Sequence, residues 1–226
     1  MNPLPGRIVE IYNENANRIG VVEFNGKRRA IYLSLVPEAQ VGDDVLFHAG
    51  FAIERVKATE AQAGREQAAG SVPQEPRPDL ESQGAYRLLS KLDPVQLRKL
   101  IPLAQDQQFA ANQIIFHAGV RPPFLHLIVS GDVDLETPLG DRTIQVQTLH
   151  AGDVMCWSAF TGEGLTHFQA RALSPVFTVA FLGGELRAAC DRDPALGYAL
   201  MKRLMELATE RLDLVRLKLT EQSSAK

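Results

Sequence analysis

Residues 57–84 contain almost no large apolar side chain, and this stretch limits what the rest of the chain can fold into. It is rich in Ala, Gln, Glu and Gly and contains the proline-rich run VPQEPRP at residues 72–78. A segment of this composition cannot join a core, although residues 59–69 have the composition of a helix. We therefore expect two domains, 1–58 and 85–226, joined by a linker at 59–84 whose prolines make it a semi-rigid spacer.

The composition is that of a globular protein and argues against several classes of partner. Of the 226 residues, 45% are hydrophobic and 23% are charged, and the formal net charge is −3. No basic tract is present, so we expect no nucleic-acid binding. Neither a secretory signal nor a membrane-spanning apolar run is visible. We expect a cytoplasmic protein without a membrane segment, in which Cys156 and Cys190 are buried free thiols rather than metal ligands.

The first domain has the pattern of a small all-β structure. Short strands are predicted over residues 7–12, 18–24, 28–33, 45–48 and 51–56. Asn25-Gly26 is the strongest short-range hairpin signal, and Gly50 separates the last two predicted strands. Several short strands at this spacing favour a small closed barrel.

Two motifs of this domain resemble the hydrogenase maturation chaperones of the HypC/HupF type. One is LVPEAQVGDDVLFHAGFAI at residues 35–53, and the other is the predicted turn Pro5-Gly6-Arg7. The resemblance implies an OB-like barrel that delivers the iron of the [NiFe] site to a hydrogenase large subunit. In that family a cysteine next to the initiator methionine is implicated in holding the iron, whereas this chain has Asn2. An amide is a weak ligand compared with a thiolate, so we do not expect direct iron carriage.

The resemblance also implies a client-docking surface made of residues from both motifs: Asn2, Pro5, Gly6, His48, Gly50 and Phe51. A lone histidine on a barrel strand is more often a hydrogen-bonded structural residue than a ligand. Both interpretations stay open for His48. We expect no metal site and no cofactor.

The second domain begins with a helix and continues as a β structure. Asp93-Pro94 predicts an N-cap and a first helical residue, and apolar side chains follow at helical spacing to Leu100. Strands are predicted over residues 113–117, 124–129, 133–137, 143–149 and 176–181, separated by Gly and Pro turns. This pattern favours a jelly roll or sandwich, so the fold class is mainly β throughout.

Three glycine-punctuated segments resemble the hairpins of cyclic nucleotide-binding domains: FHAG at 116–119, LHLIVSGDV at 125–133 and LHAGDV at 149–154. The resemblance covers about residues 88–219. It implies a Gly-Glu pair for phosphate and ribose, and an arginine further on for the cyclic phosphate. Cys156-Trp157 stands at the pair and Thr166 at the arginine. Because charge-assisted contacts would be lost, we do not expect cyclic AMP or cyclic GMP to bind.

A degenerate nucleotide pocket is therefore predicted from the following residues: Gly152, Cys156, Trp157, Ser158, Thr166, His167 and Arg171. Arg171 is a candidate to bind an anion, and the alternative is that it points away from the pocket. Trp157 and Phe160 are candidates for an aromatic floor, and the alternative is that Trp157 fills the vacated space.

The segment from Pro194 to Leu219 predicts a long amphipathic helix. Related regulators form dimers through this helix, so we expect a homodimer, with packing against its own domain as the alternative. Its solvated face is predicted to carry three basic residues: Lys202, Arg203 and Arg211. Beyond Leu219 the sequence does not continue into a helix-turn-helix, so no DNA binding is expected.

Two functions fit these features. The first is a non-catalytic accessory or assembly chaperone that docks on a [NiFe]-hydrogenase large subunit or its maturation proteins. The alternative is a regulator whose second domain senses a nucleotide or dinucleotide and changes how the barrel binds its partner. An enzyme is not expected, because the sequence shows no catalytic triad order, phosphate loop or cluster of metal ligands.

Overall fold

The first domain is a five-stranded closed barrel. The computed structural model describes residues 3–14, 17–56, 87–139, 142–162 and 164–224. Neighbouring strands pair in the order β1-β2-β3-β5-β4, which confirms the predicted OB-like barrel. Its strands are β1 (Leu4–Glu14), β2 (Asn17–Phe24), β3 (Lys27–Tyr32), β4 (Asp44–His48) and β5 (Phe51–Val56). The expected linker at 59–84, its helix and Asn2 lie outside the described residues.

Two tight hairpins set the register of the barrel. Asn25 and Gly26 join β2 to β3 with φ values of 50° and 73°, which confirms the predicted hairpin. Ala49 and Gly50 join β4 to β5 in the same way, with φ values of 49° and 78°. Two-residue turns with positive φ at both positions match the twist of the flanking strands.

Pro5, Gly6 and Arg7 do not form the predicted turn. They lie in β1 and pair with β4. A Cβ atom on Gly6 would lie 3.0 Å from Cε1 of Phe47 and 3.1 Å from Cβ of Val22. The prediction of a turn is wrong because this glycine marks a close approach to the barrel core rather than a reversal of the chain.

The second domain places a helix before two four-stranded sheets. Its first helix is α1 (Pro94–Leu100), and a 3₁₀ turn (Ile101–Leu103) follows it. The sheets have the strand orders β10-β9-β12-β7 and β11-β8-β13-β6, a jelly roll as predicted. Their strands are β6 (Ala104–Phe109), β7 (Ile114–Phe116), β8 (Phe124–Ser130), β9 (Val133–Leu139), β10 (Arg142–Leu149), β11 (Val154–Met155), β12 (Gln169–Ala172) and β13 (Val176–Leu182). The helices α2 (Trp157–Thr161), α3 (Gly183–Arg192) and α4 (Pro194–Ser224) complete the domain.

The start of α1 follows the sequence signal. The Asp93 carboxylate accepts a hydrogen bond from the backbone N of Gln96 at 2.8 Å, and the Gln96 side chain accepts one from the Asp93 N at 3.1 Å. This reciprocal arrangement is a capping box, and Pro94 occupies the first helical position. The predicted helix start is confirmed.

Helix α4 packs against its own domain along part of its length. Its buried leucines are Leu196, Leu200, Leu204 and Leu207. Arg203 was predicted on the solvated face, yet it is only 6% exposed, and its Nε donates a hydrogen bond to the Arg87 carbonyl oxygen at 2.9 Å. Lys202 is exposed as predicted. Within the described part of the chain, no helix combines the length and apolar character needed to cross a membrane.

Candidate sites at the domain junction and in the second domain

Two residues of the motif at residues 35–53 form hydrogen bonds with the second domain. His48, at the end of β4, donates a hydrogen bond from Nε2 to the carbonyl oxygen of Ala104 at 3.0 Å. Arg98, on α1, donates from Nη2 to the carbonyl oxygen of Leu35 at 2.9 Å. The motif therefore forms part of a junction between the two domains.

Apolar and aromatic contacts extend this junction. The guanidinium carbon of Arg29, on β3, lies 5.0 Å from the ring centroid of Phe177, on β13, a cation–π distance. One buried cluster includes apolar side chains of both domains: Ile19, Tyr32, Leu35, Ala49 and Phe51 from the barrel, with Leu88, Leu89, Leu92, Leu97, Leu100 and Ile101 among those from the second domain. Apolar burial on this scale stabilises the contact between the domains.

The expected client-docking residues do not form one open surface in this arrangement. His48 is 8% exposed and Phe51 is fully buried, and Gly50 lies in the turn between them. Pro5 and Gly6 are buried within the barrel. The hydrogen bond of His48 to Ala104 favours the structural interpretation of this histidine over that of a ligand.

A cavity of about 640 Å³ lies between the jelly roll and α4. Part of the predicted pocket lines it: Cys156, Trp157, Ser158, Thr166 and His167. Gly152 and Arg171 are not part of its wall. The other lining residues are mainly apolar and include Phe116, Leu135, Val146, Met155, Leu165, Phe168, Ala208 and Leu212.

Cys156 and Trp157 form the wall of the cavity where the family has its Gly-Glu pair. Cys156 adopts the left-handed conformation, with φ 64° and ψ 45°, which glycine adopts most easily and which fits this alignment. Burial raises the pKa of its thiol, so the thiol stays protonated and unreactive. The indole Nε1 of Trp157 donates a hydrogen bond to the Val154 carbonyl oxygen at 3.1 Å, which orients the ring.

The cavity stays open beside Trp157, so this residue lines the vacated space rather than filling it. Phe160 does not contribute to an aromatic floor as expected. It is 7% exposed and belongs to the buried cluster shared by the two domains. Phe116 and Phe168 are the phenylalanines that line the cavity with Trp157.

Thr166, at the position of the family's arginine, connects two loops. Its hydroxyl lies 2.7 Å from the His117 carbonyl oxygen, to which it can donate. Its backbone N donates to the Val120 carbonyl oxygen at 2.8 Å, and its own carbonyl accepts from the Gly119 N at 2.7 Å. A residue engaged in this way holds the edge of the cavity in place and offers no positive charge to a phosphate.

Arg171 does not replace the missing arginine. Its Nε lies 3.0 Å from Oε1 of Glu136, and its Nη1 donates to the Asn112 carbonyl oxygen at 3.2 Å. Gln169 donates a further hydrogen bond to Glu136 at 2.6 Å. These contacts favour the alternative that Arg171 points away from the pocket, since Glu136 pairs with its charge outside the cavity.

Arg211 is the cavity residue that the sequence prediction placed on the solvated face of α4. Its Nε donates to Oε1 of Gln147 at 2.9 Å, and its Nη1 donates to the Val154 carbonyl oxygen at 3.2 Å. Its guanidinium carbon lies 5.4 Å from the centroid of the Trp157 ring. The signal that could have located it is its spacing, seven and four residues after Leu204 and Leu207 on the buried face.

The Arg211 charge is incompletely compensated. Its Nη2 is buried and has no hydrogen-bond partner, and burial lowers the pKa of the guanidinium more than the charge of the Asp153 carboxylate raises it. Within the described ranges no carboxylate forms an ion pair with it, and no group of three or more metal-binding side chains is present anywhere in them.

Sequence comparison identifies the barrel. Residues 3–67 match the HupF/HypC family. The hydrogenase maturation factor HypC of a Synechocystis species is 41% identical over 61 residues, which cover 26% of this chain and 80% of that protein. The chain belongs to the HupF/HypC family. HypC of Cupriavidus necator is also 41% identical, over 59 residues, and the chain spans only 62% of the length of that relative.

The HupF/HypC match ends before the second domain, which matches another family. Residues 106–193 match the cyclic nucleotide-binding domain. A Geobacter metallireducens protein assigned to the cyclic nucleotide-binding class is similar, with a TM-score of 0.52 and 25% identity over 58% of this chain and 96% of that one. A cyclic nucleotide-binding domain of Methylobacillus flagellatus has a TM-score of 0.55 at 15% identity, covering 63% of this chain and 84% of that chain.

Proposed function

We propose that this HupF/HypC family protein is a non-catalytic, cytoplasmic accessory factor for the maturation of a [NiFe] hydrogenase. The observation that carries the proposal is the barrel, which matches two hydrogenase maturation factors at 41% identity. Its client is the hydrogenase large subunit or one of the other maturation proteins. The second domain serves as an adaptor that does not bind cyclic nucleotides.

The residue at position 2 favours docking over iron delivery. Asn2 offers a neutral amide where a cysteine would offer a thiolate, and iron prefers the thiolate. Neither free cysteine replaces it, because Cys156 lies in the wall of the second-domain cavity and Cys190 lies in α3. The protein would therefore hold or present its client while another factor supplies the iron.

The junction suggests how docking is controlled. Because the second domain contacts the motif at residues 35–53, a client that binds this motif competes with Ala104 and with the apolar cluster. A closed junction would then reduce affinity for the client, and an open one would increase it.

The test is co-purification of the full-length protein with an immature hydrogenase large subunit and, separately, with the scaffold protein on which the iron unit is assembled. We expect a stoichiometric complex with one of the two. Catalytic or metal-transfer activity is not required for the complex to form. The absence of both complexes at micromolar concentrations would contradict the proposal.

A second experiment separates docking from iron carriage. Asn2→Cys introduces the thiolate of the family, and we expect the purified variant to bind iron under anaerobic conditions while the wild-type protein does not. Asn13→Cys is the matched control, because it adds an exposed thiol to β1 at a position outside both family motifs. Equal iron content in both variants would show that position 2 has no special role.

A further inference from the structure

We propose that the cavity of the second domain binds an apolar organic anion, with a hydrocarbon body against the aromatic wall and a single carboxylate at Arg211. This assignment differs in chemical class from a cyclic nucleotide. It concerns the second domain alone and does not depend on the identity of the barrel's client.

The wall of the cavity selects for a hydrocarbon body. Phe116, Trp157, Leu165 and Phe168 surround the space together with Leu135 and Met155. Such side chains offer no partners to the hydroxyl groups of a ribose, and burying an unpaired hydroxyl is unfavourable. The same wall is favourable for alkyl and aryl groups, because their burial removes apolar surface from water.

Two polar side chains of the wall already have hydrogen-bond partners, and a third is uncharged. The hydroxyl of Thr166 is within hydrogen-bond distance of the His117 carbonyl oxygen, and the Nε1 of Trp157 donates to Val154. Burial raises the pKa of the Cys156 thiol, so that it contributes no charge. These three groups are therefore not free to replace the water molecules that a sugar-phosphate gives up when it binds.

Arg211 is the charged group in the wall, and its position suits one anionic group. Two of its guanidinium nitrogens are hydrogen-bonded to Gln147 and Val154, which fixes the plane of the group, while Nη2 has no partner. A half-buried cation without an ion pair is costly, and a ligand carboxylate compensates it through charge-assisted hydrogen bonds. Release of the Nη1 bond to Val154 would let the guanidinium turn Nη2 toward the ligand.

The volume of the cavity also fits a small organic acid. Sites for small organic ligands are typically about 300–1,000 Å³, and this cavity measures about 640 Å³. A linear acid such as decanoate is therefore a suitable probe. Decanol has the same body without the charge, and decylamine carries the opposite charge.

The experiment is a titration of the full-length protein with decanoate, decanol and decylamine, followed by fluorescence. The chain has one tryptophan, Trp157, which lies in the cavity wall and reports on occupancy directly. We expect decanoate to bind about tenfold or more tightly than decanol, the effect of one charge-assisted contact, and decylamine to bind most weakly.

Two variants assign the charge effect to the cavity. Arg211→Met removes the guanidinium and is expected to abolish the preference for decanoate over decanol. Lys202→Met is the matched control, because it removes an exposed cation from the same helix, and it should preserve that preference. Leu165→Asp places a carboxylate on the rim, where the wild-type side chain is 54% exposed, and should weaken decanoate binding without unfolding the domain.

The affinities for the three probes distinguish this proposal from its alternatives. A preference for decanoate that Arg211→Met and Leu165→Asp reduce and Lys202→Met preserves supports the proposal. Equal affinities for decanoate and decanol, no fluorescence response to any of the three probes, or tighter binding of cyclic AMP than of decanoate would each overturn it.

Discussion

The imidazole of His48 donates a hydrogen bond to the backbone oxygen of Ala104, across the junction between the barrel and the jelly roll. His48 belongs to the HypC-like motif, and Ala104 begins β6 of the second domain. A motif residue that would otherwise be available to a partner is thus used within the chain. This contact makes the second domain a direct competitor for the surface by which we expect the barrel to bind its client.

Replacing His48 should loosen the junction. His48→Ala removes the donor and leaves the Ala104 carbonyl oxygen without this partner, at a cost of about 1 to 3 kcal/mol in the free energy of junction opening. Since 1.4 kcal/mol is a factor of ten, we expect roughly five- to 150-fold faster amide exchange at the junction. Hydrogen exchange followed by mass spectrometry on peptides from β4, β5 and β6 measures this.

His150→Ala is the control for this prediction. The His150 side chain is 66% exposed and contacts Asp132 within the second domain, so its loss should leave exchange at the junction unchanged. Equal exchange in wild-type protein and His48→Ala would show that the hydrogen bond does not hold the domains together. The docking model is tested with Arg98→Met, which removes a junction hydrogen bond from the second-domain side, leaves the motif unchanged and should bind the client more tightly than the wild type.

His126 should make the second domain less stable in acid. Burial lowers the pKa of its imidazole from 6.5 to about 4. The unfolded chain therefore binds the proton first as the pH falls, and the free energy of unfolding decreases between pH 6.5 and pH 4. The full effect is about 3 kcal/mol, because each pKa unit corresponds to 1.36 kcal/mol. Urea titrations at pH 7 and pH 4 measure the difference.

The control is His126→Phe, which keeps an aromatic ring between Phe109 and Phe124 but cannot be protonated. Loss of the hydrogen-bond contact with Thr178 lowers the stability of this variant at every pH. The informative quantity is therefore the change with pH rather than the absolute stability. An identical pH dependence in the wild type and the variant would rule out His126 as the source.

Much of the architecture could be predicted from the sequence because its signals are local. The Asn25-Gly26 hairpin and the Asp93-Pro94 helix start depend on a few neighbouring residues, and both form as expected. Strand β6 was missed because its sequence AQDQQF is polar, and it forms through pairing with the buried strand β13. Pairing of distant segments leaves little local signal in such a strand.

The sites were harder to predict because they depend on distant segments. The bond from His48 to Ala104 joins residues 56 positions apart, and no local pattern indicates it. The charge of Arg203 and Arg211 predicts exposure to solvent, although their spacing places them beside buried leucines of α4. Long cationic side chains can pack along apolar surface in this way, so charge alone is a poor guide to exposure.

Cyclic AMP should not bind the wild-type protein measurably, and the two altered positions should account for this. We expect no thermal shift at millimolar cyclic AMP. Trp157→Glu combined with Thr166→Arg restores the two charged anchors, each worth about 1.5 to 3 kcal/mol, and should raise the affinity by roughly two to four orders of magnitude.

The single replacements serve as controls for this pair, because each restores one anchor and should give an intermediate gain. Calorimetry with cyclic AMP and cyclic GMP measures all four proteins. Micromolar binding by the wild type would show that another group replaces the missing arginine.

Helix α4 has an exposed apolar row that should mediate dimer formation. Its members are spaced by three and four residues and therefore share one face: Tyr198, Met201 and Met205, which are 73%, 47% and 63% exposed. Met205→Glu places a charge in this row, and in a two-fold contact it would approach the same charge on the second copy, so the change should shift the protein from dimer to monomer in sedimentation velocity. Val95→Glu makes the same change at an exposed position of α1 and should leave the dimer intact. A wild-type protein that sediments as a monomer at 100 μM would contradict the prediction.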